Sequence, residues 1–358
     1  PTVTDTDARN WTGLRAMPIA LASAIIIISA VVSLLVLRGR PGVSDAVRAR
    51  VLRLAESLNY EKRPADAQGA RVRYILVLVA QSVGAPVASA HAAAGLIPRL
   101  YLQLQKSAQA RSCVTAFNIV SREDEEGLVM PGALSLMQPV GIMTLGCIDE
   151  AYMHRLVETG CHVITLHSHI DGLNADSVTA DDTYAGYVMT KHLLQMGHRD
   201  VLFMGEKYYM SKYMDRWFGY CRAMCEYGLP ARTNAYSEAR VHVQNEESER
   251  RLLDQTLSVL EHPPTAIVCG EDFTAARVRE YYRERGLRVP DDISLVGFDD
   301  VYSDSDRPFP LTTFRADHAE VVETALDLLL KPERKPRKVV VYGEPVYRES
   351  VRRISETV

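Results

Sequence analysis

The sequence predicts an α/β protein built on parallel sheet, preceded by a small all-α module. Three observations predict it. From Tyr74 onward, short apolar runs alternate with helical stretches, the order expected of right-handed βαβ units. Residues 289–300 (VPDDISLVGFDD) pass from a Pro-Asp-Asp turn into a short apolar strand, which breaks at Gly297 into two carboxylates, Asp299 and Asp300. Ligands of open α/β sheets bind beyond the carboxyl ends of the strands, so these carboxylates are candidate site residues; the plainer reading is a buried strand followed by a helix-capping aspartate. Ahead of the body, residues 44–60 (SDAVRARVLRLAESLNY) form a capped amphipathic helix. Ser44 is its N-cap, Asp45 favours the first turn, and Val47, Val51, Leu54 and Leu58 make the apolar stripe.

At 358 residues the chain is long enough for two or three domains, and its 47% hydrophobic and 24% charged content is that of a globular protein. A net charge of -4 argues against nonspecific nucleic-acid binding over the whole surface, yet leaves room for one basic module on an acidic body. The cysteines (Cys113, Cys147, Cys161, Cys221, Cys225, Cys269) include no CxxC pair and no zinc spacing. Cys221 and Cys225 share a helix face, but two thiols alone make no structural metal site. Thiols inside apolar runs pack as small hydrophobes, and reduced cysteines favour the cytoplasm.

Residues 18–37 (PIALASAIIIISAVVSLLVL) carry no charge, and roughly 20 apolar residues are what a transmembrane helix needs. Arg38, Arg40, Arg48, Arg50 and Arg53 follow the run, against Arg9 and Arg15 before it, so a spanning helix would leave the larger part of the chain in the cytoplasm. A cleaved signal peptide fits poorly, because Asp5 and Asp7 lie where a basic segment belongs. Residues 61–73 are polar, with Pro64, Gly69, Lys62, Arg63, Arg71 and Arg73, and read as a linker.

The body then reads in order. Residues 74–80 (YILVLVA) are a buried strand, 88–107 a helical stretch, 113–119 and 139–145 further strands, 148–159 a helix and 162–166 (HVITL) the next strand. A carboxylate turn at Asp181 and Asp182 opens a helix that ends at Gly197 as its C′ glycine, before the strand 201–204 (VLFM). Residues 211–227 form a helix carrying Arg216, whose guanidinium fork suits bidentate recognition at a cleft; the plainer reading pairs it with Asp215 or solvent. The strand 264–269 ends in Gly270, Glu271 and Asp272, and a helix follows over 273–285. After the Gly297 strand come a crossing segment at 308–313 (PFPLTT), a helix over 318–330 and a tail from 335 to 354.

Residues 289–300 resemble the "vP-DisvvGfDd" signature of the LacI/GalR family of bacterial transcription regulators. The segment from Val178 to Asp200 is similar to its "vxxDnxxgg…hLlxxGHrxI", with Asp181 at the Asp position and Asp182 where the family usually has Asn. The Arg216 helix resembles "s…R..Gy..al", whose Arg commonly reaches the effector, and 345–350 (PVYRES) resembles the closing "elvvReS". With 38–42 in front, helix 44–60 looks like the third helix of the family's headpiece. Residues 1–5 and 12–17 resemble its first helix and turn, and 32–33 and 36–38 the end of its recognition helix. The apolar stretch 18–31 is absent from the family pattern and leaves Ser29 and Ser33 where base-reading polar side chains belong.

The resemblance implies a type I periplasmic-binding-protein-like body of two Rossmann-like lobes joined by crossing strands. Lobe 1 would span about 74–176 and 308–332, lobe 2 about 177–307 and 336–358, behind the linker 61–73 and a helix-turn-helix headpiece at 1–60 interrupted by the apolar run. It further implies a homodimer, operator DNA as partner, and a small sugar-like effector between the lobes, with no cofactor. The effector residues carried over are Asp181, Arg216, Glu271, Asp299 and His167; the DNA-binding residues are Thr4, Ser29, Ser33, Arg38 and Arg40. In the family this linker carries a hinge helix whose Leu wedges into the minor groove; here the linker is shorter and has no Leu. Signatures of serine hydrolases, P-loop proteins and zinc proteases are absent, so no enzyme is expected. His162, His167 and His169 gather at a strand end without an acidic partner at ligand spacing, so no metal is expected. The competing reading is a membrane-anchored or DNA-inactive solute sensor using the same body. On the regulator reading, Arg216→Ala abolishes effector response and leaves folding intact.

Overall fold

The computed structural model describes residues 47, 73–81, 96–239, 246–301, 309–331 and 335–354. Thr4, Ser29, Ser33, Arg38 and Arg40, the apolar run 18–37 and the linker up to residue 72 lie outside them; Val47, within the expected helix 44–60, is helical and exposed. The chain divides into a unit Pro1–Arg71 and a unit Val72–Val358. Among the described residues no helix is long and apolar enough to cross a membrane.

The second unit holds two sheets. The first comprises β1 (Arg73–Ala80), β2 (Cys113–Val120), β3 (Gly141–Leu145), β4 (Val163–Leu166), β5 (Asp176–Ala180) and β10 (Lys338–Val341), in the order β10-β5-β4-β3-β1-β2. All of its pairs are parallel, for instance Leu76 beside Ala116 and Ile142. The second comprises β6 (Val201–Met204), β7 (Ala266–Cys269), β8 (Ser294–Phe298), β9 (Thr312–Ala316) and β11 (Gly343–Val346), in the order β11-β9-β8-β7-β6, with only β11 antiparallel. The central strands β1, β3, β4, β6, β7 and β8 are the near-continuous apolar runs that a parallel sheet needs when helices cover its two faces. In β8 even Ser294 and Gly297 are buried.

Nine helices lie among the described residues: α1 (Leu96–Ala110), α2 (Arg122–Gly127), α3 (Ala133–Met137), α4 (Glu150–Val157), α5 (Asp182–Gln195), α6 (Ser211–Glu226), α7 (Glu246–Leu257), α8 (Asp272–Arg283) and α9 (His318–Leu329). Leu100 and Leu104 of α1 and Val322 and Leu326 of α9 cover one face of the first sheet, and Tyr152, Met153 and Leu156 of α4 cover the other. In the second lobe Met189 and Leu193 of α5 and Trp217 and Tyr220 of α6 meet Phe203 and Phe298, while Val278 and Tyr282 of α8 close the opposite face. Each such side chain contributes about 1.5–3 kcal/mol on burial. Gly197 ends α5 with φ +96°, the C′ glycine expected from the sequence.

The chain passes between the sheets at three places among the described residues: from β5 into α5, from β9 into α9, and from β10 into β11. These passages shift the expected lobe limits. Residues 177–180 belong to the first sheet as β5, Thr312–Ala316 to the second as β9, and Lys338–Val341 to the first as β10. A crossing segment must finish its pairing in one sheet before entering the other, so the break falls at the strand's end rather than at the first turn residue. β5 reads as turn in sequence because Asp176 and Ser177 open it. Asp176 is nonetheless buried, accepting from His162 Nε2 at 2.6 Å and the Arg337 N–H at 2.8 Å.

Candidate functional site

The carboxyl ends of β4, β7 and β8, the first turns of α5 and α6, and the start of α9 meet in one polar cluster. Each sheet places its loops at the strand ends, and the crossings turn those ends toward each other. Arg216, on the second turn of α6, is 3% exposed and lies at the centre. Its Nε donates to Asp182 Oδ1 at 2.7 Å, one terminal nitrogen to the Gly270 carbonyl at 2.6 Å, and the other to Asp299 Oδ1 at 2.7 Å. Lys212, one turn earlier, reaches Asp299 Oδ2 at 3.4 Å. From the first lobe, His167 Nε2 lies 3.3 Å from His318 Nδ1.

Backbone geometry marks the same places. His167, Asp299 and Asp300 have φ of +56°, +91° and +44°. Non-glycine residues held in this left-handed region cost of order 1–3 kcal/mol and gather at functional sites. Ladder bonds hold them there, from the His167 N–H to the Val178 carbonyl at 2.9 Å and from the Asp299 N–H to the Phe314 carbonyl at 2.8 Å.

The charges divide by environment. Burial pushes the Asp182 carboxyl up to about 6, and the Arg216 guanidinium opposes that and keeps it ionised at neutral pH. Burial would also raise Asp299, but Arg216 and Lys212 outweigh it and hold the carboxyl well below the usual range. Burial, His318 and Lys212 together hold His167 well below the ordinary imidazole range, and His318 is lowered chiefly by burial. Both imidazoles are neutral at pH 7.

Beneath the cluster Asp272 is pushed up to about 8, first by burial and then by the neighbouring Asp299 and Asp300 carboxylates. It accepts from Thr313 Oγ1 at 2.6 Å and the Val301 N–H at 3.1 Å. A Cβ on Gly297 would collide with this carboxylate, which explains the glycine in the middle of a buried strand. Glu249 is likewise pushed up to about 7 by burial. A carboxyl raised above its unfolded value near 4 keeps its proton in the folded state while the unfolded chain has released it, so its contribution to stability is lost as pH rises from about 4 to about 8. The depressed His167 and His318 act with the opposite sign around pH 6.5, so the difference between variant and wild type isolates Asp272. Asp272→Asn should gain several degrees in thermal midpoint on wild type between pH 5.5 and pH 8.5, and a difference that stays constant over the interval contradicts the assignment.

The expected site residues fall into three groups. Asp299, His167 and Arg216 come together as above. Glu271 lies beside them at the end of β7, accepting from Tyr213 Oη at 2.8 Å. Asp181 does not join the cluster: as N-cap of α5 it turns its side chain back to the Tyr184 N–H at 2.9 Å, and the next residue, Asp182, projects inward to Arg216. Nor does Arg216 pair with Asp215, which lies 3.9 Å from His169 Nδ1. Sequence reasoning missed Asp182, Lys212, Asp272 and His318. The first was visible only as an acidic residue where the family usually has Asn.

Direct contacts join the lobes beside the cluster. The Cys147 thiol donates to the Tyr209 carbonyl at 3.0 Å, and the His169 N–H donates to Ser211 Oγ at 2.9 Å. Burial, with Glu125 and Asp149 nearby, pushes the Cys147 thiol up to about 11, so it remains a donor. All six cysteines are free. His162, His167 and His169 take separate partners, Asp176, His318 and Lys338.

The periplasmic binding protein-like domain family matches residues 190–351. The HTH-type transcriptional repressor PurR of Glaesserella parasuis serovar 5 (strain SH0165) is 33% identical over 182 residues, 48% of this chain and 52% of its own length. The chain spans about half the length of such curated relatives. Among solved structures, a transcriptional regulator CelR–cellobiose complex superposes with a TM-score of 0.61 at 22% identity, covering 88% of this chain and 94% of that one. The lac repressor dimer bound to operator and the anti-inducer ONPF gives 0.61 at 18% identity, covering 90% and 94%. These two likenesses carry the fold. The matched sequence makes residues 190–351 similar to the periplasmic binding protein-like domain, and the segment 289–300 seated at the end of β8 lies within that match.

Proposed function

We propose that the chain is a DNA-binding transcriptional regulator whose operator affinity is set by a small, sugar-like molecule held between the two lobes. The observation that carries the reading is the convergence of Asp299, Lys212, Arg216, His167 and His318 where the strand ends of both sheets meet. Fixed donors and acceptors from two lobes joined by three passages form a site whose occupancy can change lobe closure. Asp299, Glu271 and His167 are assigned to direct contact. Arg216 acts through the carboxylates it orients, and Asp181 through the cap of α5. The reading is of a binding protein without cofactor or catalytic step, working in the cytoplasm where operator DNA lies.

A second copy fits the edge of the first sheet. β2 is an edge strand exposing Val114 (49%) and Ile119 (54%), beside Leu102 (64%) of α1. Such an edge needs covering, and a dimer would set two headpieces on adjacent half-sites. The test is selection of bound duplexes from a random DNA pool by the full chain at physiological salt. A palindromic site should be enriched. Absence of enrichment from a folded protein would transfer the reading to a DNA-inactive solute sensor.

A further inference from the structure

Lys212 has bonding capacity that the cluster does not use. Its side chain is 8% exposed, and among the described residues its ammonium makes one hydrogen bond, the 3.4 Å contact to Asp299, besides lying 4.9 Å above the Tyr213 ring. An ammonium has three N–H donors, and Asp299 is already engaged by the shorter Arg216 bond. Nearby, His318 Nε2 is buried and makes no well-aligned hydrogen bond among the described residues, although the ring lies at the Asp299 backbone. A buried cation and a buried imidazole nitrogen left incompletely bonded are each costly, and both adjoin Asp299, Lys212 at its carboxylate and His318 at its backbone.

We infer that the cleft takes a small hydroxylated carboxylic acid, a sugar acid rather than a neutral sugar, with its carboxylate between Lys212 and the His167–His318 pair. This deepens the proposed ligand-responsive function and rests on it. The carboxylate completes the shell of Lys212 and accepts from His318 when Nε2 carries the ring proton, the tautomer in which Nδ1 accepts from His167. The opposite end of the ligand is fixed by Glu271. β7 and β8 are paired neighbours, so Glu271 and Asp299 leave adjacent strands about 5 Å apart. Glu271 accepts from Tyr213 and has acceptor capacity left for hydroxyl groups. A second anionic group there meets that carboxylate, so diacids and sugar phosphates are disfavoured.

The test is calorimetric titration of the full chain with D-glucuronate, D-gluconate and, as neutral counterpart, D-glucose. One of the acids should bind at least about tenfold more tightly than glucose. Lys212→Met should remove that preference and Lys212→Arg keep it, with melting curves confirming that each variant folds. The wild-type comparison stands without either variant. Glucose binding as tightly as both acids overturns the inference and leaves the regulator reading in place; so does acid binding unchanged in folded Lys212→Met. If no acid binds while the chain still selects an operator, the acid inference alone fails. Loss of operator selection instead removes the reading beneath it.

Discussion

Arg216→Ala should destabilise the protein by about 3–5 kcal/mol, the range measured when one partner of a buried ion pair is removed. The guanidinium is 3% exposed and its partners Asp182 and Asp299 are as buried, so its loss leaves carboxylates in low dielectric without a counter-charge. The Gly270 carbonyl loses its donor too. From sequence alone the same substitution is expected to abolish effector response and spare folding; burial reverses the second half of that expectation. The sign of the pH dependence is a further check. Without Arg216 the Asp182 carboxyl rises further above its unfolded value and Asp299 loses the larger of the two cations that depress it, so the deficit should grow as pH increases above about 6 and shrink when the carboxyls are protonated. Arg216→Lys keeps a charge but loses the planar fork, and should fall between the two. Urea unfolding at pH 5.5 and pH 8 measures all of this, and a variant within 1 kcal/mol of wild type at pH 8 would sink the buried-network account.

Much of the frame can be read before any coordinates. The apolar runs at 74–80, 113–119, 162–166 and 201–204 became β1, β2, β4 and β6 within a residue or so; for β1, β4 and β6 the reason is that a strand buried on both faces has few alternatives. Asp299 could be placed at the end of β8 for the same reason. What escaped depended on relations between distant residues. Which of two adjacent aspartates enters the cluster is decided by the cap: Asp181 bonds the Tyr184 N–H, and only then does Asp182 face Arg216. Lys212 and His318 come to the same cluster because β9 lies in one sheet and α9 packs on the other, a passage no local period announces. β5 and α7 were hidden by polar residues in DSVTA and EESERRLLDQTL, where tertiary pairing overrides a weak local pattern.

The packing beneath the site makes the second large prediction, that Gly219→Ala costs stability although alanine is the better helix former. α5 and α6 cross with Gly186 and Gly219 at the contact. A Cβ on Gly219 would run into the Thr183 carbonyl and the Tyr187 amide, and one on Gly186 into the Arg216 carbonyl. These obstacles are helix backbone, so relief requires moving one helix off the other, which also shifts Arg216 and Asp182 against each other. Overpacking of this kind costs typically 1–3 kcal/mol, and the gain in helix propensity returns about 1 kcal/mol. A net loss of up to about 2 kcal/mol is therefore expected at each position, larger for valine, with the rise in unfolding rate following the loss. Gly132→Ala is the control, because its added Cβ meets nothing within 4 Å. If chemical denaturation finds Gly219→Ala as stable as Gly132→Ala, the helices have slack at their crossing, and the geometry that holds Arg216 against Asp182 is not set there.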